Sequence, residues 1–128
     1  MPIFDYVWRQ EAGEPFNPSH FFPTWRRYME AGIARTWETK GAVLGALFAH
    51  HIYSGEYEAL VQFWFALPVV RGTPATGGLF RVFEQAAKQA GCVTIHSAAH
   101  HKLSPRRRQY GYTAHGFENT ETLFSKKL

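Results

Sequence analysis

The chain is short of cysteine and of charge. One of its 128 residues is cysteine, Cys92, so no intrachain disulfide forms and a disulfide-stapled secreted scaffold is excluded. Charged residues make up 19% against 45% hydrophobic and 16% aromatic, too little charge and too much apolar material for a disordered chain. No charged leader with an apolar stretch follows Met1-Pro2-Ile3-Phe4-Asp5, so a secretory signal is not expected and a cytoplasmic location is. The longest apolar stretches, residues 41–49 and 63–70, fall short of the about 20 residues that a membrane-spanning helix needs. Repeats, low-complexity tracts and linkers are missing too, which leaves residues 1–128 as one expected domain with one core.

Charge is present but uneven. Residues 1–64 carry five Lys/Arg against seven Asp/Glu, and residues 65–128 carry nine against three, within a net charge of +4. The positive field of the second half favours an anionic partner, whether a nucleotide cofactor, a nucleic acid or an acidic protein surface.

The hydrophobic pattern predicts a mixed α/β fold. Residues 3–9 are an expected first strand, followed by a turn-rich stretch holding Gly13, Pro15, Asn17 and Pro18. A short helix is expected from Thr24 as N-cap, with Trp25, Tyr28 and Met29 facing a sheet and Gly32 as its stop. Residues 33–39, 42–53 and 57–67 predict an antiparallel meander, its second turn built on Ser54-Gly55-Glu56 and its end set by Pro68. Leu79, Phe80, Val82, Phe83, Ala86, Ala87 and Ala90 then recur at helical spacing, and Gly91 suits the cap. Residues 92–96 read as a buried strand, completing a βαβ crossover, and residues 121–128 as a last strand.

Where a strand ends and a helix begins, backbone amides and the positive end of the helix dipole converge on an anion site. Arg71-Gly72-Thr73-Pro74-Ala75-Thr76-Gly77-Gly78 fills that junction. Thr73 is the expected N-cap and Pro74 the first helical residue, with the amides of Ala75, Thr76 and Gly77 left free and Arg71 adding charge. A capped helix with nothing bound is the alternative. The histidines, His50-His51 and His96, His100 and His101 among them, lack metal-ligand spacing, so no metal site is expected. His96 or His100, near the end of the crossover strand, suits a site-lining role or an exposed loop. Arg106-Arg107-Arg108 is read first as a solvated loop, and Cys92 as a small buried hydrophobe.

The order of elements, with Leu67-Pro68-Val69-Val70-Arg71-Gly72 and Tyr112-Thr113-Ala114-His115-Gly116-Phe117, resembles the GNAT superfamily of acyl-CoA-dependent N-acyltransferases over most of the chain. It looks closest to short phage- and prophage-encoded members, whose ends are similar to Phe124-Ser125-Lys126-Lys127-Leu128. The resemblance implies a mostly antiparallel twisted sheet with a central crossover and flanking helices. It implies acetyl-CoA as cosubstrate, with Leu67, Val69 and Val70 along the pantetheine arm and Arg71, Gly72, Thr73, Ala75, Thr76 and Gly77 around the pyrophosphate. The two glycine positions of that family's motif hold Pro74 and Thr76 here, a departure from it. Tyr112 matches the acid that protonates the leaving thiolate, and Glu58, at the start of the third meander strand, is the candidate base for an amine acceptor. Two other readings stand beside this one. A catalytically silent module, such as a virion component with phage structural partners or self-association, would use Trp8, Trp25, Trp37 or Trp64 as anchors. A nucleic-acid binder would use the basic second half.

Overall fold

This computed structural model describes residues 17–97, 116–118 and 126–128. The chain divides into two compact units, Met1–Ala98 and Ala99–Leu128, and every element named below belongs to the first. The strand expected over residues 3–9 lies outside the described residues, as does most of the one expected over 121–128, of which residues 126–128 are not in a strand.

Helix α1 (Pro18–Glu30) starts seven residues earlier than expected, its cap at Asn17 and not at Thr24. Asn17 is extended, its Oδ1 accepts the N–H of His20 at 3.2 Å, and Pro18 enters the helix where a missing N–H costs nothing. Thr24 is therefore no cap; it lies mid-helix with its hydroxyl donating to the His20 carbonyl at 2.7 Å. Trp25 is buried as expected, whereas Tyr28 and Met29 remain 40% and 41% exposed.

Strands β1 (Ala34–Thr39), β2 (Ala42–His50) and β3 (Tyr57–Ala66) form the expected antiparallel meander. β2 stops at His50, short of Tyr53, because the turn takes over: His51 Nδ1 accepts the N–H groups of Tyr53 and Ser54, and Gly55 adopts φ 75°. A 3-10 turn (Pro68–Val70) leads into α2 (Pro74–Gln89), and β4 (Thr94–Ser97) returns parallel to β3, giving the sheet order β1-β2-β3-β4. The crossover is present as expected. β4 is shorter and less covered than the buried strand read over 92–96: Val93 is exposed and lies outside it, and Thr94 is exposed. In α2, Leu79, Phe80, Phe83 and Ala87 are buried, but Val82 points away from the sheet and is exposed.

A β-bulge decides which face of the sheet each side chain of β3 serves. Phe63 pairs with Gly45 and Val61 with Ala46, so Gln62 is one residue more than β2 can match. Before the bulge Ala59 and Val61 face the α2 side, which holds Trp37, Leu44, Phe48 and Phe83; after it Phe63 and Phe65 face the α1 side. On that side Trp25, Ala34, Val43, Phe63 and Phe65 form one cluster, and Trp25 Nε1 donates to Thr36 Oγ1 at 2.8 Å.

Candidate active site

At the C-terminal end of β3 the chain turns tightly onto the β1–β2 connection. Leu67 N–H donates to the Gly41 carbonyl at 2.8 Å, and the Val70 methyls lie 3.1 Å from where a Cβ on Gly41 would stand. The Val70 carbonyl collects three donors: Thr73 N–H at 3.2 Å, Thr73 Oγ1 at 2.6 Å and Thr76 Oγ1 at 3.0 Å. Arg71 Nε donates to the Ala66 carbonyl at 3.0 Å, holding a half-buried guanidinium against the end of β3. Gly72 follows at φ 74°, a backbone state that glycine adopts without strain. Val69 is 81% exposed on the outside of this loop, while Leu67 packs inward against the α1-side cluster.

Thr73 and Pro74 stand at the N-cap and first helical position of α2, as expected. Of the three amides expected to be free, that of Thr76 is taken, reaching the Thr73 carbonyl at 3.3 Å, and that of Ala75 has no acceptor among the described residues. The structure adds Arg81 to this end of the helix. Helical side chains lean toward the N-terminus, and the Arg81 guanidinium lies 3.9 and 4.0 Å from where Cβ atoms on Gly77 and Gly78 would stand. Arg71, Arg81 and the α2 dipole thus bring positive charge to one end of the sheet, and this set fits a phosphate-bearing ligand. Pro74 removes no donor the helix would have used, and the Thr76 hydroxyl is turned onto the Val70 carbonyl.

Glu58 lies at the other end of β3 and does not meet this loop, being separated from Ala66 by eight strand residues, about 26 Å. It stands opposite Thr94 in the parallel register with β4, and its Oε2 lies 2.5 Å from Nε2 of His96. The carboxylate side chain is 12% exposed and the imidazole 43%. Gln62 and the bulge fall between this pair and the cationic end of the strand. Cys92, half-buried just before β4, has its thiol pushed up by burial, with the Glu58 charge adding to the effect and Arg35 opposing it. Among the described residues no three His, Cys, Asp or Glu side chains gather as metal ligands, and no helix is long and apolar enough to cross a membrane. Tyr112, His100, His101 and Arg106-Arg107-Arg108 lie outside the described residues.

No protein-family model and no curated sequence matches the chain. Solved structures do. A predicted acetyltransferase from Clostridium acetobutylicum, solved with acetyl-CoA, superimposes with a TM-score of 0.76 at 16% identity, covering 98% of this chain and 86% of that one. AAC(6')-Iy in complex with the bisubstrate analogue CoA-S-monomethyl-acetylneamine gives 0.73 at 17% identity over 94% and 86% of the two chains. The aminoglycoside antibiotic 6'-N-acetyltransferase AAC(6')-Ih from Acinetobacter baumannii gives 0.68 at 22% identity over 89% and 82%. At these identities the likeness is one of fold, and the chain has the GNAT-like fold that the sequence led us to expect.

Proposed function

We propose that the protein is an acyl-CoA-dependent N-acyltransferase that moves an acetyl group from acetyl-CoA to an amine by direct attack, with no acyl-enzyme. The observation that carries this reading is the pairing of a cationic helix terminus, made by Arg71, Arg81 and the start of α2, with a bulged strand running away from it. Acetyl-CoA carries phosphates at one end of a long arm and its thioester at the other, and the site spreads its charge and its proton-handling groups along β3 in the same way.

Arg71 to Gly77 would hold the pyrophosphate, and Leu67, Val69 and Val70 would lie along the arm. The extra residue at Gln62 takes backbone groups out of the β2 ladder. An amide that the bulge leaves out of the ladder would be a donor for an acyl oxygen on which charge grows. Tyr112 would protonate the departing thiolate, and Glu58 belongs to the group that removes the amine's proton. The structures of similar fold solved with acetyl-CoA and with a CoA bisubstrate analogue support the choice of cosubstrate. Calorimetric titration with acetyl-CoA and CoA tests it: micromolar binding that weakens in Arg71→Ala is expected. No heat at millimolar ligand would leave a catalytically silent fold whose partners are other proteins.

A further inference from the structure

Resting on the acyltransferase reading, we infer that His96 is the base, through Nδ1, and that Glu58 is the positioning residue that fixes its tautomer and holds its charge once protonated. A carboxylate oxygen only accepts, so the short contact between Oε2 and Nε2 puts the imidazole proton on Nε2 and leaves the lone pair on Nδ1. Nδ1 has no partner among the described residues. Burial follows the same order, with the carboxylate 12% exposed behind and the imidazole 43% exposed in front. A mostly covered carboxylate supporting a more exposed imidazole is the arrangement that makes histidine an effective base.

The strand register supplies an independent reason. Glu58 is four residues before the bulge at Gln62, about 13 Å along β3, too far for direct proton transfer to an amine attacking there. His96 stands opposite Leu60 and on the same face as Glu58, so its position is about 7 Å nearer the bulge. In the step, the ammonium form of the acceptor gives a proton to Nδ1, and the freed nitrogen lone pair bonds to the acyl carbon. The carbon–sulfur bond breaks, the leaving thiolate is protonated by the acid proposed for it, the excess proton on the new amide nitrogen restores that acid, and the imidazolium returns its own proton to water.

Two variants and one spectrum test this. Long-range proton–nitrogen correlation of the His96 imidazole in the full chain, without any ligand, is expected to show protonated Nε2 and bare Nδ1, with that preference relaxed in Glu58→Gln; an Nδ1–H tautomer would overturn the assignment. His96→Gln keeps an N–H donor for Glu58 but has no basic nitrogen. Its kcat for acetyl transfer is expected to fall about a hundredfold or more, with the KM for acetyl-CoA within about twofold of wild type. His96→Ala is expected to regain turnover when imidazole is added to the buffer. Unchanged kcat in His96→Gln would sink the inference and leave the acyltransferase reading standing. Failure of that reading shows separately, as a wild-type chain that binds no acetyl-CoA.

Discussion

At the scale of single residues, two arginines reach the same end of α2 by different routes, and their substitutions should differ accordingly. Arg81 is exposed and folds back over Gly77 and Gly78, so it contributes charge and little else. Arg81→Ala is expected to weaken acetyl-CoA binding about tenfold, the worth of one charge-assisted contact, with an unchanged melting temperature. Arg71 also ties the loop to the Ala66 carbonyl, so Arg71→Ala should weaken binding and lower the melting temperature together. Calorimetry beside thermal denaturation separates the two. Cys92 gives a second reading of the site. Its raised pKa means less thiolate at any pH below it, so alkylation near pH 8 should be slower than for an exposed thiol. The Glu58 charge is the smallest cause of the rise, so Glu58→Gln should speed the reaction slightly; a slower rate would mean that this charge does not reach the thiol.

At the scale of elements, the bulge in β3 explains both what the sequence could convey and what it hid. Buried residues alternate without a break at Ala59, Val61, Phe63 and Phe65, which reads as one strand with one buried face. In fact the set changes sides at Gln62, and the alternation survives only because α1 and α2 cover both faces, leaving a hydrophobic pattern nothing to record. The α2 periodicity and the crossover were legible, since each rests on local spacing. The Glu58–His96 pair was not, because its partners are 38 residues apart and only the β3–β4 register joins them. The start of α1 was legible in principle from Asn17-Pro18, but Pro23 five residues later mimics a helix boundary. Asn17→Ala should then cost about 1 kcal/mol of stability, read from the denaturant midpoint. Gly45 pairs with Phe63 at the bulge, and a Cβ there would enter the Phe63 ring, itself packed on Trp25 and Phe65. Gly45→Ala is expected to destabilise by about 1–3 kcal/mol through overpacking, at an unchanged denaturant slope.

At the scale of the whole molecule, the charge asymmetry read from the sequence now has a place to act. Residues 65–128 carry nine Lys/Arg against three Asp/Glu, and Arg71 and Arg81 of that set lie at the α2 terminus where the phosphates are proposed to bind. If that field recruits the cosubstrate, affinity should be screened by salt, because at about 1 M ionic strength the Debye length shrinks to about 3 Å. Acetyl-CoA is therefore expected to bind about tenfold or more weakly as salt rises from about 0.05 to about 0.5 M. S-acetylpantetheine, which has the arm and the thioester but no phosphates, should bind weakly and with no salt dependence, since only backbone and apolar contacts along β3 would hold it. Equal salt sensitivity in both ligands would place the charge effect outside the proposed site. Equal affinity at low salt would mean that the cationic end of α2 contributes nothing, and the recognition would then have to rest on the bulged strand alone.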